Sequence, residues 1–225
     1  MNSATTLVER HKRTEAWLGV GFVLLLIGGW FYYPLGYSLL VCMAGAMAIG
    51  LARGRYWCDW LCPRGSFWDT VLKRVSLRRK VPALFRHPLF RAAWLILLMT
   101  MLAIQLPPVW GDYYRMGKPF VMILTMTTVV GTLFGVLYHE RIWCMFCPMG
   151  TMANLLGRGK MLLRVDAACV NCGTCEQVCR MQLNPGACRE AGRVTSGDCL
   201  KCAYCVESCP QQALSFEGAT GSRRG

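Results

Sequence analysis

Eight cysteines near the end of the chain fall into two runs of one spacing. The first is Cys169-x2-Cys172-x2-Cys175-x3-Cys179. The second is Cys199-x2-Cys202-x2-Cys205-x3-Cys209, followed by Pro210. Three thiolates at that spacing wrap a short loop around one face of an iron–sulfur cube, and the fourth is aimed at a partner cluster. The spacing therefore predicts two [4Fe–4S] clusters with crossed ligation. Cys169, Cys172, Cys175 and Cys209 hold one, and Cys199, Cys202, Cys205 and Cys179 hold the other. A lone C-x2-C would suit zinc or a redox dithiol equally well, whereas two complete runs on one chain favour clusters. Such clusters move electrons singly, and thiolate ligation fits a reducing compartment.

Four more cysteines sit in an internal repeat. Arg55-Tyr-Trp57-Cys58-Asp-Trp-Leu-Cys62-Pro63-Arg-Gly65-Ser66 is echoed by Arg141-Ile-Trp143-Cys144-Met-Phe-Cys147-Pro148-Met-Gly150-Thr151. Both read R-x-W-C, a gap of two or three, then C-P-x-G-[S/T]. Cys58, Cys62, Cys144 and Cys147 could meet on a pseudo-two-fold axis and share a metal or cluster. The bland alternative is a pair of reduced thiols in a turn shaped by Trp, Pro and Gly. The unequal spacing makes the symmetry imperfect.

The elements that must position these groups are membrane helices. Of the 225 residues, 54% are hydrophobic, too many for a purely soluble electron carrier, and the polar cysteine-rich end pushes the excess upstream. Four apolar segments result: Ala16 to Tyr33, Tyr37 to Leu51, Ala92 to Leu106 and Phe120 to Tyr138. A spanning helix needs about 20 apolar residues, so the second and third must borrow from their flanks. Formal net charge is +13. The cations lie before the first segment (Arg10 to Arg13), between the second and third, and after the fourth, while the other two connections are nearly bare. The positive-inside rule then puts both termini and the middle loop in the cytoplasm of a multi-pass inner-membrane protein. No nucleic-acid-binding signature accompanies the charge, so nucleic acid is not an expected partner. The first segment ends in Trp30, Phe31, Tyr32 and Tyr33 with no small-residue cleavage site, which reads as a retained anchor rather than a signal peptide.

After each C-P motif a short helix is expected, capped by Ser66 or Thr151, with Asp69 completing a capping box on Ser66. In the first repeat Phe67, Trp68, Val71, Leu72 and Val75 share a face, as in a helix lying at headgroup level. Cys42, inside an apolar helix, reads as a small hydrophobe, and Cys188, outside both runs, as a spare thiol. The thirteen methionines are mostly packing residues; Met145 and Met149 flank Cys147 and are the exceptions. His139 and Glu140, beside the second pair, are candidates for taking protons from a quinol. Three histidines, none in mid-membrane, argue against a bis-His haem.

With paired W-C-x(2,3)-C-P-x-G repeats and a two-cluster tail, the chain resembles the polyferredoxin-type membrane iron–sulfur proteins. These include the quinol-oxidising membrane subunit of periplasmic nitrate reductase systems, the ferredoxin-type protein of methylamine utilisation and, more distantly, the cupric reductase of cytochrome oxidase assembly. The resemblance covers about Ala16 to Phe216. It implies an α-helical membrane protein of four transmembrane helices in two repeated hairpins (residues 16–160, after a cytoplasmic tail of 1–15). A bacterial-type two-cluster ferredoxin domain of α+β class follows (161–217), then a flexible tail (218–225). It also implies electron flow between the quinone pool and a protein redox partner, with membrane lipid around the helices. Two departures stand out. Cys179 is followed by Arg180 where ferredoxins usually place Pro, and the second membrane pair is C-x2-C where the family often has C-x3-C. The rival reading is a cupric reductase and assembly factor, with copper on Cys58, Cys62, Cys144 and Cys147, since thiolate and thioether favour Cu(I).

Overall fold

The structure, a computed structural model, describes residues 2–217. The tail from 218 onward and the side chains of residues 1–10, Arg10 among them, lie outside the described residues. Four helices are long and apolar enough to cross a membrane, as the hydropathy predicts. They are α1 (Asn2–Phe31), α2 (Ser38–Arg53) with the 3-10 turn Tyr33–Tyr37 before it, α5 (Pro88–Gln105) with the turn Pro107–Val109 after it, and α6 (Tyr113–Leu137). Between them lie α3 (Tyr56–Trp60) and α4 (Pro63–Val71), and after α6 come α7 (Ile142–Phe146) and α8 (Pro148–Leu156). Large side chains such as Leu24, Val41, Ile96, Ile104 and Val129 stay exposed on the four long helices. That much apolar surface is stable against acyl chains and not against water.

Local chemistry sets the boundaries. Asp112 caps α6 by accepting from the Tyr114 and Arg115 amides at 3.0 and 3.2 Å. Pro88 opens α5 at its first position, with His87 Nδ1 accepting from the Leu89 amide. Helix α1 begins well before Ala16, because Lys12, Arg13, Thr14 and Glu15 are compatible with helix although they add nothing to hydropathy.

The helices after the C-P motifs differ from expectation. Each starts at the proline, with Cys62 or Cys147 at the cap. The Gly65 amide lies 3.5 Å from Cys62 Sγ, its donor to that thiol. Ser66 is therefore inside α4 and fully buried, Thr151 donates back to the Cys147 carbonyl, and Asp69 pairs with arginines instead of closing a capping box. Proline at the first helical position outcompetes a hydroxyl cap three residues later. Helix α4 packs along α1 with Trp68 in the core, while Val71 and Val75 stay exposed.

The chain ends in a small three-stranded antiparallel sheet of order β2-β1-β3. Its strands are β1 (Leu163–Val165), β2 (Arg193–Val194) and β3 (Leu214–Phe216). Leu163 faces Val194 on one side and Phe216 on the other. The two cysteine runs lie between these strands, each with one short helix, α9 (Thr174–Gln177) and α10 (Tyr204–Glu207).

Candidate functional site

The repeat is built by exchange. Arg55, from the first motif, donates to the carbonyl of Cys144 in the second. Arg141, from the second, donates to the carbonyl of Cys58 at 2.9 Å. Both arginines are buried. The motif glycines make room for them: a Cβ on Gly65 would lie 2.8 Å from Arg141 Nη1, and one on Gly150 2.6 Å from Arg55 Nη2. The motif tryptophans are seated in the same way. Trp57 lies against Gly45 of α2 and Trp143 against Gly131 of α6. So R-x-W-C-…-C-P-x-G is one interlocking unit, each half completing the other.

That exchange brings the four cysteines together. Cys58, Cys62, Cys144 and Cys147 all line one cavity of about 70 Å³ at the end of the bundle, with Phe22, Leu39, Trp57, Trp68 and Trp143 among its walls. Cys42 of α2 lines it too. Met149 contributes, whereas Met145 is buried elsewhere in the core. His139 and Glu140 are buried but are not wall residues, so no proton role is assigned to them. Burial pushes the Cys58 thiol up to about 12, against the pull of Arg55, and Cys144 up to about 11, against Arg141. Cations stand ready to offset negative charge: the Arg64 guanidinium sits 4.8 Å from the Trp143 ring centroid and points Nη2 at Cys147 Sγ at 3.8 Å. Four thiols with arginines behind them and no carboxylate in the wall suit an anionic thiolate-bound cluster; among the described residues no three of these thiols lie close enough together for a single ion.

In the tail, Cys169, Cys172, Cys175 and Cys209 line one cavity. Cys179, Cys199, Cys202 and Cys205 line a second. Neither has a histidine, aspartate or glutamate in its wall. The backbone repeats as the sequence does. Asn171 and Gly173 have positive φ, as do Lys201 and Ala203, and so do Gln182 and Gln212, each following the fourth cysteine of its run. Left-handed residues alternating with right-handed ones form concavities of N–H groups that favour an anion. The Leu183 amide, for example, donates to Cys179 Sγ at 3.3 Å. The residues present fit two four-thiolate clusters. Cys188 packs on the tail core and belongs to neither cavity.

The tail is bolted onto the membrane half by buried ion pairs. Arg180 donates to Asp59 at 3.1 Å, to Asp69 at 2.8 Å and to Glu15 of α1, and it lies over the Tyr204 ring. Arg141 bonds the same two aspartates, and His11 lies 3.3 Å from Asp59. Burial would raise the Asp59 carboxyl, but His11, Arg180 and Arg141 hold it below its ordinary value. On the other side, Asp198 accepts from Arg55 at 3.0 Å and from Arg91 at 2.7 Å. Arg180 in place of the ferredoxin proline is thus the principal bolt, and the sequence signalled it only as an anomaly. The buried arginines were equally visible as the first letter of each repeat, but their partners lie far off in sequence.

Helices across a membrane and cysteine-lined cavities define a membrane iron–sulfur electron-transfer protein. The family described as a 4Fe-4S binding domain matches residues 35–82 and 119–166. Those two segments carry the C-P repeats and not the tail. Among curated relatives, the putative electron transport protein YccM of Escherichia coli is 24% identical over 92% of this chain and 64% of its own. The ferredoxin-type protein NapH of Haemophilus influenzae is 29% identical over 72% of this chain and 62% of its own. The methylamine utilization ferredoxin-type protein MauN of Methylobacillus flagellatus is 28% identical over 74% and 63%. The chain spans less than two thirds of the length of these three relatives. No solved structure matches. Over most of its length the chain is similar to these ferredoxin-type and electron-transport proteins.

Proposed function

We propose that the chain passes electrons between a quinol, oxidised at the membrane-facing cysteine cavity, and a protein redox partner at the tail. Two [4Fe–4S] clusters on the crossed cysteine sets, and a further metal or cluster on Cys58, Cys62, Cys144 and Cys147, would supply one-electron transfer. The observation that carries this reading is continuity of packing. Met181 and Leu200, next to the cysteines of one tail cavity, share a buried core with Cys58 and Cys144, and Cys179 packs on it. That tail cavity is the proximal one. The other, with exposed Cys172, is the distal one and faces the partner. The protein residues exclude water along this line, hold the two halves in register and offset thiolate charge with buried arginines. The apolar wall around Phe22, Leu25 and Leu39 suits a quinol head entering from the bilayer.

Crossed ligation has a direct test. Cys179→Ser should abolish the same electron paramagnetic resonance signal as Cys202→Ser, leaving the signal that depends on Cys172. Loss of the Cys172-dependent signal instead would refute the crossing. For topology, the cation distribution supports an orientation with both termini and the middle loop in the cytoplasm of a bacterial inner membrane. Reporter fusions at Lys80 should read cytoplasmic and at Asp112 periplasmic; a periplasmic Lys80 would overturn that orientation.

One observation favours the second reading, a cupric reductase. Met149 joins the thiols in the cavity wall, and a thioether beside thiolates suits Cu(I). Copper that co-purifies in proportion to the four thiols, with no quinol-dependent reduction of the tail, would select it.

A further inference from the structure

Beside the proximal tail cavity, and sharing Cys199 with it, lies a second, larger opening. It is a cleft of about 520 Å³ between the end of α8 and the β2 edge of the tail. Its cationic wall residues are Arg55, Arg158, Lys160, Arg193 and Lys201, and it has no aspartate or glutamate. Lys201 is 7% exposed, and among the described residues nothing pairs with its ammonium. Arg55 is 2% exposed, and its Nε has no partner. Asp198, the carboxylate closest in sequence, is outside the wall and is already engaged by Arg55 and Arg91. An unpaired ammonium facing a cleft that has no carboxylate in its wall is a ready partner for an anion. The wall also carries Thr195, Ser196 and Asn154, whose side chain is wedged against Gly197.

We propose that this cleft binds a phosphoryl oxyanion, with Lys201 as its buried anchor and Arg158, Lys160 and Arg193 around the rim. Three phosphate oxygens can each accept from a different cation, and such charge-assisted bonds are the strong ones. The depth fits a lipid headgroup. The second span ends at Arg53, Gly54 follows it, and Gly54 touches both the Gly157 carbonyl and the Lys201 stem. The cleft therefore opens one residue beyond the apolar span, where lipid phosphates lie. A soluble phosphate compound would offer the same chemistry. Either ligand would bridge the membrane half, through Arg158 and Lys160, to the tail, through Arg193 and Lys201. It would add to the Arg55–Asp198 pair that already joins the halves beside the cleft.

The test uses the full chain, purified anaerobically in neutral detergent. Native mass spectrometry is run with phosphatidylglycerol and, separately, with phosphatidylcholine of the same acyl chains, and calorimetry with inorganic phosphate. The expected result is one retained phosphatidylglycerol per chain, with phosphatidylcholine lost. Lys201→Gln should weaken retention on the order of tenfold, as for one charge-assisted bond. The double variant Arg158→Gln/Lys160→Gln, both exposed and so without effect on folding, should do the same. Phosphate binding with this variant sensitivity but no lipid retention would assign the cleft to a soluble phosphoryl ligand. Equal retention of both lipids without phosphate binding, or affinity unchanged in the double variant, would overturn the proposal.

Discussion

Replacing Arg141 with alanine should destabilise the protein by about 3–5 kcal/mol, as when one partner of a buried ion pair is removed. Arg141 is fully buried, and its one guanidinium serves the Cys58 carbonyl, Asp59 and Asp69. Without it, Asp59 keeps Arg180 and His11, but the carbonyl loses its donor and the space beside Gly65 empties. Lysine should not rescue, because a single ammonium cannot reach three acceptors set for a planar fork. Arg55→Ala should behave alike for the mirrored contact on Cys144. The check is the thermal midpoint in detergent, read by tryptophan fluorescence, together with the amount of protein accumulated in membranes. A wild-type midpoint in Arg141→Ala would mean that the exchange of arginines between repeats contributes little.

Arg180→Ala should leave the tail loaded yet loosen it from the membrane half. The side chain ties Glu15, Asp59 and Asp69 to Tyr204, and its loss strands acidic groups in a buried junction. A cost of about 3 kcal/mol corresponds to a shift on the order of a hundredfold toward the undocked form. Arg180→Pro, which restores the usual ferredoxin residue, should undock the tail equally while keeping its clusters. Hydrogen exchange at Met181 to Leu183 and limited proteolysis around Lys160 should both rise, with the cluster signals unchanged. Unaltered exchange in both variants would show that Asp198, with Arg55 and Arg91, suffices for docking.

What the sequence reveals here follows from how local each constraint is. The cysteine runs are legible because three of the four cysteines that line each tail cavity sit a few residues apart. The four long helices are legible because hydropathy is summed over a window, although it misses the polar first turns of α1. Ser66 misleads because a hydroxyl looks like a cap unless the preceding Cys-Pro is weighed. The crossed arginines and the Arg180 junction depend on partners far away in the chain, and no local pattern names those partners.

The central claim is that the four membrane-side thiols act as one site feeding the tail. Its most direct measurement is quinol-driven reduction of the tail clusters, followed by electron paramagnetic resonance in membranes, for Cys58→Ser, Cys62→Ser, Cys144→Ser and Cys147→Ser. The account predicts that each single variant keeps both tail clusters, reducible by dithionite, and loses reduction by quinol. It predicts further that the losses are equal and not additive when variants are combined, as for residues acting as a unit. Wild-type rates of quinol-driven reduction in all four variants would contradict it.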